Sequence, residues 1–215
     1  MSHPDFAIAE VMPGQLNALV KNIMRQTGTD DVNEAVKLVN SGEWIITKPV
    51  RRWREENGVI RFTVVSRGLT GPQWIEHLEK MGRPVGNYAK SVLRSPDFKP
   101  TNGVTYEVAV LKGEIFKDED RITQMIRAEA DRRKLVKPNA ELGCLIREMF
   151  TDKEIEEMGL YWIIAMHEPI VDSDGNPRLL GTRRYDSSLS AFYDEPDDRW
   201  YRDGGFAFVS QVSSS

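Results

Sequence analysis

Residues 161–177, YWIIAMHEPIVDSDGNP, hold side chains that could do chemistry. His167 stands beside Glu168, and Asp172 and Asp174 follow. A histidine with a carboxylate suits general acid–base work, and paired aspartates suit a hard cation. The local pattern tests both ideas. The segment reads as a strand, in which neighbouring side chains point to opposite faces. Trp162, Ile164, Met166 and Glu168 share one face, and Tyr161, Ile163, Ala165 and His167 share the other. His167 and Glu168 therefore cannot close on one substrate from the same strand. A helical H-E-x-x-H zinc site needs a histidine at position 171, where Val171 stands. His167 is then a candidate base only with partners from another strand. The competing reading is a satisfied histidine of the core.

The aspartates carry a similar ambiguity. A calcium loop of the EF-hand type places glycine sixth and glutamate twelfth. Counted from Asp172, Gly175 is fourth and Arg183 twelfth. Asp, Gly, Asn and Pro are the residues of tight turns, so DSDGNP reads first as a turn. The stretch YDEPDDRWYRDGG (193–205) gathers Asp194, Asp197 and Asp198 beside Arg199, Arg202, Trp200 and Tyr201. Its carboxylates are metal candidates together with Asp172 and Asp174, and the alternative is a salt-bridged surface loop. Trp200 and Tyr201 are partner-binding candidates, because aromatics beside charge are interface material.

A third candidate lies upstream. Asn57–Gly58 is a strong two-residue hairpin signal, since a type I′ turn needs positive φ at both positions. That loop sets Arg54 opposite Arg61 and puts Trp53, Ile60, Phe62 and Val64 on one face. Arg52, Arg54 and Arg61 fall on the other. Facing arginines repel unless an anion or carboxylate lies nearby. The three form a candidate anion- or partner-binding patch, or a wet face balanced by Glu56.

Several chemistries lack their residues. The chain has 215 residues, one cysteine (Cys144) and three histidines, which excludes an internal disulfide and a Cys-rich zinc site. There is no glycine-rich phosphate loop and no G-x-S-x-G elbow. The net charge of −4 argues against global attraction to nucleic acid. Residues 160–215 contribute five basic and nine acidic side chains, so the acidity is C-terminal. No apolar run approaches the ~18 residues that cross a bilayer. The N-terminal residues do not read as a signal peptide.

The elements that must position these residues follow from periodicity. Leu16, Leu19, Val20 and Ile23 mark a helix that Gly28 stops, and Asp30 or Asp31 caps a second that Gly42 ends. Pro72 opens a helix with Trp74, Ile75 and Leu78, and NYAKSVLRS is another. Val104–Leu111 alternates as a strand. Residues 118–135 read as a helix with an acidic first turn. Pro138 opens a helix carrying Cys144, and TDKE at 151–154 is a capping box. From Leu160 onward strands alternate with Asp-, Gly- and Ser-rich turns, as in an antiparallel meander. The expected fold class is α+β: a helix pair and β-hairpin over 1–68, an α+β domain over 69–212, and a frayed tail over 213–215.

Five blocks carry a resemblance: GQLNALVKNIMRQTGTDDVNEAVKLVNSGEW, YAKSVLRSPDFKPTNGVT, IRAEADRRKLVKPNAELGCLIREMFTDKEIEEMGL, MHEPIVDSDGNPRLL and GFAF. They resemble blocks of hypothetical proteins encoded by uncultured bacteria of the small-genome candidate phyla. The resemblance spans about residues 11–209 and implies a bacterial, intracellular protein. It assigns no fold, activity, ligand or site residue. The residues themselves favour a soluble, cytoplasmic, non-enzymatic binding protein with a protein partner and no cofactor. Nucleic acid at the basic hairpin face is a second partner class, and a membrane is not expected. The alternatives are a hydrolase-like enzyme, metal-assisted or using His167, and a structural or assembly subunit.

Overall fold

The computed structural model describes residues 20, 21, 23, 24, 28–43, 51–197 and 199–210. The chain divides into two units, residues 1–51 and 52–215. In the first unit Val20, Lys21, Ile23 and Met24 are helical, while Leu16 and Leu19 lie outside the described residues. Gly28, at φ 71°, donates its N–H to the Met24 carbonyl, so a left-handed residue ends the turn. Helix α1 (Val32–Asn40) follows, with Asp31 as N-cap accepting from the Asn33 N–H. Gly42, at φ 79°, closes it.

The second unit is α+β. In chain order it contains β1 (Arg54–Glu56), β2 (Val59–Arg67), α2 (Gly71–Lys80), α3 (Asn87–Arg94) and β3 (Asn102–Lys112). Then come α4 (Thr123–Arg132), β4 (Leu135–Val136), α5 (Glu141–Met149) and α6 (Asp152–Glu157). Strands β5 (Trp162–Ala165), β6 (Ile170–Val171), β7 (Pro177–Arg183), β8 (Leu189–Tyr193) and β9 (Gly204–Ser210) complete it. The hairpin register is the one its turn demands: Arg54 faces Arg61, with Asn57 at φ 52° and Gly58 at φ 71°. The hairpin falls within the second unit, where β2 pairs with β3 from Val59↔Leu111 to Arg67↔Asn102. Residues 213–215 lie outside the described residues.

Among the described residues one nine-stranded sheet runs in the order β1-β2-β3-β9-β5-β7-β6, with β4 on β9 and β8 on β7. It departs from an antiparallel meander at its centre. Strand β9 inserts between β3 and β5 and runs parallel to β5, Trp162 opposite Gly204 and Ala165 opposite Ala207. On one face Ile60, Phe62, Val64, Val108, Val110, Ile163, Leu180 and Ala207 pack with α2, α3 and α5. On the other, Val59, Ala109, Leu111, Ile164, Leu179, Phe206 and Phe208 meet Ile126 and Ala130 of α4. Central strands buried on both faces lose the clean alternation of a half-wet sheet.

Two helix starts differ from the sequence pattern. Helix α4 begins at Thr123, so Asp118 and Asp120 lie ahead of it and do not form its first turn. Helix α5 begins at Glu141, after Pro138. The capping box at Thr151 forms, with Thr151 Oγ1 accepting from the Glu154 N–H and Glu154 accepting from the Thr151 N–H.

Helix α2 meets α3 through Gly71. A methyl group there would stand 1.6 Å from the Leu93 carbonyl oxygen, whereas one on Gly82 (φ 71°) would meet nothing within 4 Å. Gly71→Ala should therefore destabilise by about 3 kcal/mol through backbone displacement. Gly82→Ala should cost only about 1 kcal/mol, from left-handed strain. Urea unfolding of the two variants checks the order.

Candidate functional site

His167 follows β5 and is buried. Its Nδ1 lies 2.6 Å from the Glu168 carbonyl, and its Nε2 accepts the Leu180 N–H at 2.9 Å. Nδ1 therefore carries the proton and donates it to the carbonyl. Burial pulls the ring down to a pKa of about 4, only partly offset by the Glu168 carbonyl. The ring is a neutral plug. It satisfies the Leu180 donor of β7 just beyond the last β5–β7 pair, Ile164↔Gly181. Neither nitrogen is available to a substrate, so the candidate base has a backbone role. Glu168 points outward and pairs with Lys137.

Asp172 organises the DSDGNP turn. Its Oδ1 accepts from the Asp174 and Asn176 N–H groups at 2.8 and 3.0 Å, and Oδ2 accepts from Arg178 Nε at 2.5 Å. Burial alone would raise this carboxyl, but those N–H donors and the Arg178 guanidinium hold it below its ordinary value. The guanidinium is itself sandwiched, 4.3 Å from the Tyr88 centroid and 3.6 Å from that of Tyr193. Asp174 is exposed and hydrogen-bonded with Tyr88, which raises the phenol. Asp194 is buried against Arg127, with Nη2 at 2.9 and 3.0 Å from its two oxygens. Asp197 is exposed, and Asp198 lies outside the described residues. Among the described residues no three His, Cys, Asp or Glu side chains converge as a metal's ligands would. Cys144 is fully buried, and desolvation pushes its thiol well up.

The three hairpin arginines do not act as one patch. Arg52 is drawn to Glu154 of α6, 2.7 and 2.8 Å from its two oxygens, and lies over the Phe150 ring. Arg54 and Arg61 remain opposite each other on the other face, with no ion pair among the described residues.

Trp200 and Tyr201 instead enter a cleft of about 560 Å³. Strand β5 supplies Trp162, with Tyr161 just before it; β7 and β8 supply Arg183 and Phe192. Trp162 and Arg183 are directly paired across β5 and β7, so both project from the same face of the sheet. The strap before β9 contributes Arg199, Trp200, Tyr201 and Asp203. The rings meet edge to face: Trp162–Tyr201 at 5.4 Å and 74°, Tyr161–Trp162 at 5.4 Å and 84°. Arg183 lies 5.6 Å from the Phe192 centroid. Neither Arg183 nor Arg199 has an ion pair among the described residues.

Buried groups hold the strap. Arg121 donates from Nε to the Gly113 carbonyl, from Nη1 to that of Trp200, and from Nη2 to Phe116 O and Asp118. Trp200 returns its N–H to the Arg121 carbonyl and its indole N–H to Thr123 Oγ1. That inward turn of Arg121 explains why α4 starts only at Thr123. The floor depends on Gly204, where a methyl group would stand 2.5 Å from Trp162 Nε1.

Comparison of the chain with family models, curated protein sequences and solved structures finds no match. Sequence reasoning reached Trp200 and Tyr201 but not Tyr161, Trp162, Arg183 or Phe192 as their companions. One signal was available: a Gly-Gly pair at 204–205 directly after an aromatic loop marks a place where something bulky approaches the backbone.

Two outcomes follow from this geometry. His167 binds protons more readily unfolded than folded, so its contribution is complete above about pH 6.5 and is lost as pH falls towards 4, by about 3 kcal/mol in total. Denaturant titrations across that range should show this loss, and the difference from His167→Leu should isolate it. Gly204→Ala should displace the Trp162 indole, and a changed tryptophan emission spectrum with little loss of secondary structure by circular dichroism would report it.

Proposed function

We propose that the chain is a non-enzymatic binding protein and that the aromatic cleft beside β5, β7 and β8 is its site. The observation that carries this reading is the composition of the cleft. Five aromatic side chains, Tyr161, Trp162, Phe192, Trp200 and Tyr201, line it with two guanidinium groups that make no ion pair among the described residues. Pockets that hold small ligands are of this size and character, largely apolar with a few placed polar groups. Tyr201 is 68% exposed, so its ring is open to a partner. The support for binding over hydrolysis is that His167, the candidate base, spends both nitrogens on the backbone. A nucleic-acid surface on the hairpin draws less support, because Arg52 is neutralised by Glu154.

A thermal-shift screen of chemically diverse small molecules tests the reading. A ligand that binds only the native state raises Tm by mass action. Such ligands should stabilise the native protein and lose their effect in Tyr201→Ala and in Arg183→Gln, both changes at exposed side chains. A shift that survives both substitutions would move the site elsewhere, and turnover of the ligand would return the enzymatic reading.

A further inference from the structure

From the charges around the rings we infer that the cleft takes a mononucleotide-class ligand, a flat heteroaromatic ring bearing one phosphate. The inference rests on the proposed binding role of this cleft and names its occupant. Three features select that chemistry. The first is exposed ring surface. Trp162 and Tyr201 meet at 74°, so neither stacks on the other, and Tyr201 is largely exposed. A heteroaromatic base can lie on such a ring, since stacking needs only a π-face on each side. The second is unpaired positive charge. Nine arginines among the described residues, Arg52 and Arg178 included, are tied to carboxylates, yet Arg183 and Arg199 share the cleft without one. A guanidinium matches phosphate oxygens with paired N–H donors. The Arg183 guanidinium lies 5.6 Å from the Phe192 ring centroid.

The third feature is Asp203. Its exposed carboxylate lines the same cleft and makes no ion pair among the described residues. It can accept from a ring N–H or exocyclic amine, which a simple aromatic acid lacks. With Asp118, whose carboxyl feels Arg199, it tempers the positive charge of the two guanidinium groups, which opposes a triphosphate. The cleft volume of about 560 Å³ fits one small molecule. The net charge of −4 gives a nucleic-acid polymer no long-range attraction.

The test uses the full chain and its intrinsic tryptophan fluorescence, since Trp162 and Trp200 both line the cleft. AMP, GMP, CMP and UMP are titrated separately, with adenosine, ATP, inorganic phosphate and a short single-stranded oligonucleotide as comparisons. At least one monophosphate should give saturable quenching. Adenosine and inorganic phosphate should each bind at least about tenfold more weakly, the loss expected when a charge-assisted pair or the stacking is missing. Arg183→Gln and Arg199→Gln should weaken the monophosphate by about tenfold each. Arg54→Gln, on the hairpin, should bind as the native chain does. Circular dichroism confirms that the variants are folded. Adenosine binding as tightly as AMP, ATP binding more tightly than AMP, or Arg183→Gln without effect would overturn the inference. A tenfold preference for the oligonucleotide would overturn it in favour of a polymer. If the library screen yields cleft ligands while all four monophosphates fail, this inference falls and the binding role stands. If neither yields a ligand that depends on Tyr201, both fall.

Discussion

The parallel pairing of β5 with β9 is the constraint on which the rest of the second unit depends. Strand β9 is the last in the chain order and the middle one in the sheet, with β3 on one side and β5 on the other. Without it the β1–β3 ribbon and the β5–β8 group are separate sheets, each with an open edge and unpaired N–H and C=O groups. Its side chains also close both layers at once. Ala207 and Val209 enter the core beneath α5, and Phe206 and Phe208 the core beneath α4. Joining residue 108 to 209 and 162 to 204 closes long loops. The entropy of that closure must be met before the pairing is rewarded, so a topology of this kind folds late at its centre.

The same pairing builds the cleft. Because β9 runs beside β5 in register from Gly204↔Trp162, the residues just before Gly204 must lie beside those just before Trp162. The Tyr161 N–H donates to the Asp203 carbonyl, and the Gly204 N–H to that of Tyr201. Tyr201 and Asp203 are thus fixed at the mouth by backbone bonds of the sheet. Glycine at 204 then lets the indole lie against the strand, and Gly113 admits the Tyr201 and Arg202 carbonyls, which a methyl group would meet at 2.7 and 2.8 Å. The cleft is therefore a by-product of closing the sheet, held by strands on one side and a stapled strap on the other. Side chains held by such supports give up little further entropy when a ligand arrives.

Local structure was legible in the sequence where one residue type enforces one conformation. Asn57–Gly58 set the hairpin register because few residues tolerate positive φ twice in succession. Thr151 and Glu154 announced their cap, and the Asp172 turn its own geometry, for similarly local reasons. The partner of β9 was not legible. Alternation says which face a side chain takes and nothing about which strand lies alongside, and a doubly buried strand blurs even the alternation. The start of α4 is hidden in the sequence because Asp118 and Asp120 look like a favourable first turn, while Arg121 is needed for three backbone carbonyls. The cleft was half legible. Trp200 and Tyr201 stood out beside charge, but Trp162, Arg183 and Phe192 reach them only through the register of β5, β7 and β8.

His167, Arg121, Arg178 and Glu141 show where this protein spends its buried polar groups. Glu141 accepts from the Trp74 indole N–H and the Thr101 N–H; Arg121 donates to loop carbonyls; His167 both accepts from and donates to the backbone. Each closes a hydrogen-bond deficit left by an irregular segment, at a joint between elements rather than at a surface. Buried ionisable groups often mark catalytic sites, since burial shifts proton affinity. For His167 that burial comes with both ring nitrogens spent on the backbone, and a group so engaged has nothing left to offer a substrate. In the cleft Arg183, Arg199 and Tyr201 reach solvent. Buried polarity maintains the scaffold, and the exposed guanidinium and aromatic groups are left to make contacts. Under the proposed binding reading those groups need only be complementary to a ligand and held still, whereas general acid–base catalysis needs a proton that can leave.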